Sequence, residues 1–140
     1  MTGQVEVRVV RDYPTDPIVR LYEAGGWWRE QYDPSHISTM IAGSHAVAVA
    51  VDSATGATVG MGRLISDGAS DAYVQDVIVD PAYRGRGIGR RIVAALLERC
   101  RADGILWVGV VAEPGSVAFW EQAGFGVLGG HVAMRLGGEA

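Results

Sequence analysis

The chain is 140 residues long, which suggests a single domain with room for a substantial hydrophobic core. Apolar residues make up 49% and charged residues 20%, and these values exclude intrinsic disorder and a disulfide scaffold. The net charge of −4 argues against binding to nucleic acid, which requires a positive surface. All 12 basic residues are arginines, which excludes Schiff-base chemistry and a Walker-type phosphate lysine.

The cysteine and histidine residues indicate which cellular compartment and which metal sites to expect. Cys100 is the single cysteine, so it cannot form an internal disulfide, and we expect a reducing, cytoplasmic compartment. The three histidines are isolated in sequence, so no metal site is expected. The chain begins with a charged, alternating segment and contains no apolar run of about 18 residues, so we expect no signal peptide and no membrane association.

The first third of the chain predicts one strand and two helices. Apolar residues alternate with charged ones over residues 4–11, which is the period of a strand with one buried face. The pairs Asp16-Pro17 and Asp33-Pro34 each have the composition of a helix start, with Asp as the N-cap. Apolar side chains at helical spacing follow both pairs, and glycines end both helices.

The remainder of the chain predicts strands that alternate with helices. The clearest helix begins at Ile88, because apolar residues follow it at i, i+3, i+4, i+7 and i+8 spacing up to Cys100. The other predicted elements are strands at 45–51, 57–65, 72–79 and 105–112, a hairpin loop at 52–56, a helix at 115–123 and two short terminal strands. This order predicts an α/β protein with one domain over residues 1–140.

The segment from Asp80 to Arg91 lies between a predicted strand and the N-terminus of the clearest helix. Four of the 12 arginines fall within residues 84–91, where cations oppose the helix dipole unless an anion offsets them. Three alternate glycines, at 85, 87 and 89, allow backbone N–H groups to converge on phosphate oxygens. The segment therefore predicts an anion-binding turn.

Three other interpretations of this turn are weaker. A plain surface turn requires neither the three alternate glycines nor the local excess of positive charge. A Rossmann dinucleotide site has GxGxxG spacing, whereas this chain has GxGxG and no second Rossmann half. A Walker loop requires a lysine, and the chain has none.

At these residues the sequence resembles the GNAT superfamily of acyl-CoA-dependent N-acetyltransferases. The family signature Q/R-x-x-G-x-G/A is matched by Arg84-Gly-Arg-Gly87-Ile-Gly89, and the resemblance extends to residues 77–81 before it and 118–125 after it. It implies a GNAT-like mixed sheet of about six to seven strands, splayed between strands 4 and 5 and flanked by about four helices.

The resemblance also assigns a coenzyme site for acetyl-CoA by motif position. It implies that the strand segment Val77, Ile78 and Val79 holds the pantetheine arm, with Val77 and Val79 making the backbone hydrogen bonds. It implies that the side chain of Arg90 reaches a coenzyme phosphate, and that Ser116 and Phe119 flank the thioester. The backbone N–H groups expected to bind the pyrophosphate are those of Arg84, Gly85, Arg86, Gly87, Ile88 and Gly89.

One position departs from the family pattern. Where the family often has a tyrosine that protonates the departing thiolate, this chain has Trp120, whose indole cannot act as a general acid near neutral pH. Water, Tyr73 or the incoming ammonium would then supply that proton. Asp76 is the first candidate for the general base and Glu113 the second, although Asp76 fits equally well as a carboxylate satisfied by backbone N–H groups or an arginine.

The acceptor site is expected where the first two helices and the 66–71 loop meet the thioester. Trp27, Trp28 and Tyr32 would present aromatic faces to a cationic or aromatic amine, and Asp67 would supply negative charge. Each of these aromatic residues fits at least as well as a core residue. The run from Gln75 to Val79 resembles one in aminosugar-phosphate and arylalkylamine acetyltransferases, which favours a small free amine.

These expectations combine into one functional hypothesis and two alternatives. We expect transfer of an acetyl group from acetyl-CoA to a primary amine of a small molecule. The transfer is expected to be direct, because Cys100 falls on the apolar helix stripe. The alternatives are a protein or peptide N-acetyltransferase and a non-catalytic acyl-CoA-binding module. The sequence leaves the acceptor and the oligomeric state open, with a homodimer as one option.

Overall fold

The computed structural model describes residues 4–138, which divide into two compact units, residues 4–110 and residues 111–138. The first unit contains a five-stranded sheet and three α-helices, and the second contains one α-helix. The strands are β1 (Val5–Val10), β2 (Ala46–Asp52), β3 (Thr58–Ser66), β4 (Asp71–Val79) and β5 (Trp107–Val110). The helices are α1 (Thr15–Ala24), α2 (His36–Gly43), α3 (Ile88–Ala102) and α4 (Val117–Gln122), and one 3₁₀ turn covers Pro81–Tyr83.

The sheet is mixed, as predicted, with the strands in the order β1-β2-β3-β4-β5. The first four strands pair in antiparallel fashion through short connections, and β5 pairs parallel to β4 after the crossover through α3. The β4–β5 pairing covers only four residue pairs and ends at Val74 and Val110. The residues of β4 from Gln75 to Val79 therefore have no partner in β5.

Helices pack on both faces of the sheet. On one face, apolar residues of α1 and α2 form a buried cluster with the strands, and Met61 and Ile78 belong to this cluster. On the other face, α3 lies against β3 at two glycines, Gly60 and Gly62, whose missing side chains make room for Ile92. Every residue of β2 is buried, because the sheet is covered on both faces at its centre.

The prediction of six to seven strands is wrong for the described part of the chain, which contains five. Two short strands were expected at the end of the chain, but residues 126–138 contain no strand. The side chains of Val132, Met134 and Leu136 are almost fully exposed. Alternation predicts a strand only when one face is buried, and that condition is not met here.

Both helix starts differ from the predicted aspartate caps. Helix α1 begins at Thr15 with Pro14 as its N-cap residue, so Asp16 lies inside the first turn. Helix α2 begins at His36, because Asp33 accepts a hydrogen bond from the Ser35 N–H (2.9 Å) in a turn before the helix. None of the helices within residues 4–138 has the length and apolar character that crossing a membrane requires.

The close approach of α3 to the sheet leads to a prediction about the stability of the protein. A Cβ atom at Gly62 would lie 2.8 Å from Ile92 Cγ2 and 3.2 Å from Leu96 Cδ1, so Gly62→Ala should reduce the free energy of unfolding by about 1–3 kcal/mol. The control is Gly43→Ala, at the end of α2, where a Cβ meets nothing within 4 Å. This change should leave stability the same or raise it by up to ~1 kcal/mol. Urea unfolding measures both, and equal stability of the two variants would contradict the packing argument.

Candidate active site

The last five residues of β4 have an open backbone edge within the first unit. The Asp80 N–H donates to Val59 O of β3 (2.8 Å), so strand alternation directs the backbone groups of Val79 toward the other side. There the Arg84 Nε donates to Val79 O (3.2 Å). Val77 has the same parity as Val79, and no strand of residues 4–110 pairs with either residue on that side. This edge has the hydrogen-bonding capacity to accept an extended ligand.

The predicted anion-binding turn follows β4 directly. Gly85 and Gly87 have φ angles of 80° and 76°, in the left-handed region that favours glycine, and Gly87 is the N-cap residue of α3. The Arg91 N–H donates to Gly87 O (3.1 Å), so the N–H groups of Ile88 and Gly89 precede the first hydrogen bond of the helix. The first turn of α3 contains no acidic residue. The backbone and the helix dipole together favour an anion at this position.

The arginines of this turn are exposed, and one of them, Arg86, contacts the turn itself. The Arg86 guanidinium lies 4.9 Å from the ring centroid of Tyr83, and the Tyr83 OH donates to Asp52 Oδ2 (2.6 Å) at the end of β2. Arg90 is exposed in the first turn of α3. Arg91 instead donates to Val5 O of β1 (2.9 Å). The side chains at 84, 86 and 90 therefore add positive charge where the turn gathers its N–H groups.

The side chains of Ile78 and Ile88 have a different role from the rest of this segment. Both are buried, with 4% and 3% of their surface exposed. Ile78 belongs to the core cluster under α1 and α2. Only their backbone atoms are available to a ligand, so these two side chains fix the strand end and the helix start in place.

Asp76 lies at a bulge in β4. Arg63 pairs with Gln75 and Met61 pairs with Ile78, so Asp76 and Val77 both face the single residue Gly62. Asp76 has a φ angle of 55°, and it is the one non-glycine residue with positive φ among the described residues. Aspartate tolerates this conformation better than most residues.

The bulge turns the Asp76 carboxylate toward helix α1. Its Oδ2 accepts a hydrogen bond from the Tyr22 OH (2.7 Å) and another from the Arg63 Nε (2.7 Å). Both ion-pair side chains are largely buried, with 17% of Arg63 and 22% of Asp76 exposed. Asp76 and Val77 present their side chains to opposite faces, because Val77 Cγ2 lies on the α3 face, 3.2 Å from a Cβ built at Gly62.

Tyr22 is a neutral hydrogen-bond donor to this carboxylate. Burial raises the pKa of the Tyr22 phenol far above its usual value, and the nearby charge of Asp76 raises it further. The phenol therefore keeps its proton throughout the range in which most proteins are stable. Its hydrogen bond fixes the carboxylate at the floor of the neighbouring pocket.

A pocket of about 480 Å³ opens beside Asp76. Trp27, Trp28 and Tyr32 all line it, so the structure brings the predicted aromatic cluster together with the predicted base. The Trp28 and Tyr32 rings meet edge to face, 5.5 Å apart. The other lining residues are Tyr22, Gln31, Asp33, His36, Ile37, Met40 and Arg63.

Asp67 is not one of the residues that line this pocket. Its carboxylate accepts hydrogen bonds from the N–H groups of Ala69 and Ser70 (both 2.8 Å) and from the Ser70 hydroxyl (2.7 Å) within its own loop. These bonds, chiefly those from Ser70, lower the pKa of Asp67 to about 2. The carboxylates of the pocket are Asp33 and Asp76.

Sequence reasoning missed the two residues that donate hydrogen bonds to Asp76, namely Tyr22 and Arg63. In the sequence, Tyr22 falls on the apolar face of the first predicted helix and Arg63 falls within the predicted strand at 57–65, and neither position indicates a role in the site. Arg63 is the single charged residue in β3, and a lone arginine in an apolar strand is a usable signal for a buried ion pair. For Tyr22, no local signal distinguishes a hydrogen-bonding tyrosine from a packing one.

The second unit contains the remaining motif residues. The Ser116 hydroxyl donates to Glu113 O (2.7 Å) before α4. The Trp120 ring is 8% exposed and meets the rings of Phe119 (5.0 Å) and Phe125 (5.3 Å) edge to face. Trp120 is therefore a packing residue of its own unit.

The fold and this constellation define a class: α/β proteins with an open strand edge beside a glycine- and arginine-rich helix start. The acetyltransferase (GNAT) family matches residues 11–125. The chain therefore belongs to the GNAT acetyltransferase family, whose members use acetyl-CoA as the acetyl donor.

Two plant N-acetyltransferases are similar to this chain over about half of its length. The chain is 36% identical to glucosamine 6-phosphate N-acetyltransferase 1 of Oryza sativa subsp. japonica over 87 residues, which is 58% of this chain and 53% of that protein. It is 36% identical to the chloroplastic serotonin N-acetyltransferase 2 of the same organism over 73 residues, covering 52% and 36%. The matches thus span about half or less of these relatives. An acetyltransferase structure from Trypanosoma brucei has a TM-score of 0.79 at 25% identity and covers 95% of this chain and 99% of that one.

The environment of Tyr22 predicts a loss of stability at alkaline pH. The folded-state pKa of Tyr22 is raised, so its contribution is present below pH 10 and is lost as pH rises above the unfolded-state value. Between pH 10 and 11 this loss amounts to about 1 kcal/mol. Tyr22→Phe should remove that part of the pH dependence, as measured by urea unfolding at pH 9, 10 and 11. Tyr32→Phe, which removes a half-exposed phenol of the same pocket, is the control. Parallel curves for wild type and Tyr22→Phe would contradict the assignment.

Proposed function

We propose that this chain is an N-acetyltransferase that transfers an acetyl group directly from acetyl-CoA to a primary amine of a small molecule, as one domain over residues 1–140. The observation that carries the proposal is the order of features along β4 and the turn that follows it. This strand supplies the carboxylate of Asp76 to the aromatic pocket, then an open backbone edge, and then the anion-binding turn at the start of α3. The proposed donor and acceptor sites thus meet on four consecutive residues, Asp76 to Val79.

The proposed donor site uses the edge and the turn. The pantetheine arm would lie along Val77, Ile78 and Val79 and form strand-like hydrogen bonds to the backbone of the two valines. The pyrophosphate would bind the N–H groups of residues 84–89, with the exposed arginines at 84, 86 and 90 adding positive charge. Ser116 and Phe119 enter the proposal through their positions in the family motif.

The pocket beside Asp76 is the proposed acceptor site. Its aromatic walls and its two carboxylates suit an amine that is protonated in solution. The names of two relatives, a glucosamine 6-phosphate and a serotonin N-acetyltransferase, support an acceptor of small-molecule size. Asp67 has no place in this proposed site, since its oxygens are bonded within their own loop.

In the proposed reaction the amine nitrogen attacks the thioester carbonyl carbon, the C–N bond forms and the C–S bond breaks. Asp76 would accept the ammonium proton before the attack, and coenzyme A leaves as a thiolate. Both hydrogen bonds to Asp76 go to Oδ2, and among the described residues none goes to Oδ1, which we assign as the proton acceptor. The nitrogen loses its second proton when the tetrahedral intermediate collapses, and the thiolate would take a proton from this nitrogen, from water or from Tyr73, because Trp120 cannot supply one.

Direct transfer is supported by the state of Cys100. This single cysteine is 2% exposed on the buried side of α3. Burial raises the pKa of its thiol above the usual value, so the nucleophilic thiolate is disfavoured. An acyl-cysteine intermediate is therefore not part of the proposal.

The proposed activity is tested by thiol release from acetyl-CoA in the presence of polyamines, arylalkylamines, aminosugars and peptides. We expect turnover with a small amine and none with peptides. Preferential turnover of peptides would favour the protein-acetyltransferase alternative. Tight acetyl-CoA binding without any turnover would favour the non-catalytic binding module.

Asp76→Asn is the matched variant for this assay, because asparagine retains the shape of the side chain and tolerates positive φ. We expect kcat to fall by about 10²–10⁴-fold, as is typical when general-base catalysis is lost, while the Kd for acetyl-CoA stays within twofold. An unchanged kcat and pH–rate profile would remove Asp76 from the mechanism.

The donor site is tested with a pair of substitutions at Gly87. Asparagine and aspartate both tolerate the left-handed conformation and both serve as helix N-caps, so they differ mainly in charge. Gly87→Asp should weaken acetyl-CoA binding at least about tenfold more than Gly87→Asn, because its carboxylate would repel the pyrophosphate. Calorimetric titration with acetyl-CoA measures both, and circular dichroism checks the fold. Equal affinities would place the pyrophosphate elsewhere.

A further inference from the structure

The composition of the pocket carries an inference about the chemical class of the acceptor. Resting on the proposed function, we infer that the acceptor is an amine on an aromatic body that carries no phosphate. The two named plant relatives differ in this respect, since one name contains a phosphorylated aminosugar and the other an arylalkylamine. The pocket of this chain provides the means to choose between the two chemistries.

The charge of the pocket disfavours a phosphate group. Asp33 and Asp76 supply two carboxylates, and Arg63 supplies the single guanidinium of the lining. The Arg63 Nε bonds to Asp76 Oδ2 (2.7 Å), and its Nη1 lies 3.4 Å from the Ser44 hydroxyl. His36 is mostly exposed, 3.8 Å from Asp33. A phosphate would therefore meet two carboxylates, and its cationic partners are already engaged with them.

The walls of the pocket favour an aromatic body. The ring centroids of Tyr22 and Trp28 lie 6.4 Å apart and those of Trp28 and Tyr32 lie 5.5 Å apart, so three rings follow one another along the pocket. Trp27 and Met40 add further apolar surface. Aromatic rings gain attraction from such neighbours beyond what apolar area alone provides. The volume of about 480 Å³ is within the usual range of small-molecule sites.

The position of Asp76 gives the amine group of this acceptor a defined place. Tyr22 and Arg63 occupy Oδ2, so an ammonium approaching from the pocket would bond to Oδ1. This oxygen belongs to the residue that immediately precedes Val77, where the proposed pantetheine segment begins. An acceptor anchored there would hold its nitrogen toward the donor and its aromatic body toward Trp28 and Tyr32.

Binding of four probe amines tests the inference without relying on turnover. The probes are 2-phenylethylamine, 2-cyclohexylethylamine, glucosamine and glucosamine 6-phosphate, each titrated calorimetrically into the protein. We expect 2-phenylethylamine to bind roughly two- to tenfold more tightly than its saturated analogue, because only the aromatic ring gains ring–ring attraction. We also expect the phosphate to weaken glucosamine binding. Tighter binding of glucosamine 6-phosphate than of 2-phenylethylamine would overturn the inference.

Substitutions at Tyr32 locate the effect in this pocket. Tyr32 is 47% exposed, so its replacement should leave the fold intact. Tyr32→Leu should reduce the preference for 2-phenylethylamine over 2-cyclohexylethylamine by at least half, whereas Tyr32→Phe, which retains the ring, should preserve it. An equal preference in both variants would contradict the role of the aromatic wall.

Failure of the inference is distinguishable from failure of the proposed function. Acetyl transfer to glucosamine 6-phosphate in preference to 2-phenylethylamine would retain the enzyme and overturn its acceptor class. Absence of acetyl-CoA binding, with the amine preferences as expected, would overturn the proposed function and leave the chemistry of the pocket supported.

Discussion

The bulge at Asp76 and Val77 is the constraint on which the site depends, because one extra residue in β4 changes what each face of the strand presents. With two residues opposite Gly62, the carboxylate turns toward α1 while Val77 remains against α3. Tyr22 and Arg63 hold the carboxylate, and so they also hold the bulge. Without the extra residue, strand alternation would place Asp76 and Ile78 on the face of Val74, which pairs with Leu64 and therefore shares the α3 face with Gly62.

β4 and the turn that follows it carry opposite charges, with the carboxylate of Asp76 on the strand and the arginines on the turn. The turn after β4 gathers exposed arginines and backbone N–H groups, while the pocket before it contains two carboxylates and one neutralised arginine. The whole chain has a net charge of −4, so its positive charge is a local property of that turn. Local charge of this kind attracts an anion to the turn and a cation to the pocket.

Local signals in the sequence predicted most of the fold and part of the site. Helical and strand periodicities need only neighbouring residues, and the turn at 84–89 combines glycine and charge within six positions. The partners of Asp76 were missed because Tyr22 and Arg63 lie 54 and 13 residues away, and only the register of the sheet brings them together. The two terminal strands were wrongly predicted, because residues such as Met134 are exposed and bury no face against a sheet.

The residues that line the pocket come from a different part of the chain than those of the proposed donor site. Nine of its eleven lining residues lie between Tyr22 and Met40, before the first residue of β2. Only Arg63 and Asp76 come from the strands that lead to the turn. New side chains in this single segment would therefore change the proposed acceptor site and leave the proposed coenzyme-facing strand intact. Acceptor specificity in such a fold can therefore diverge, in evolution or by protein engineering, through replacement of this one segment.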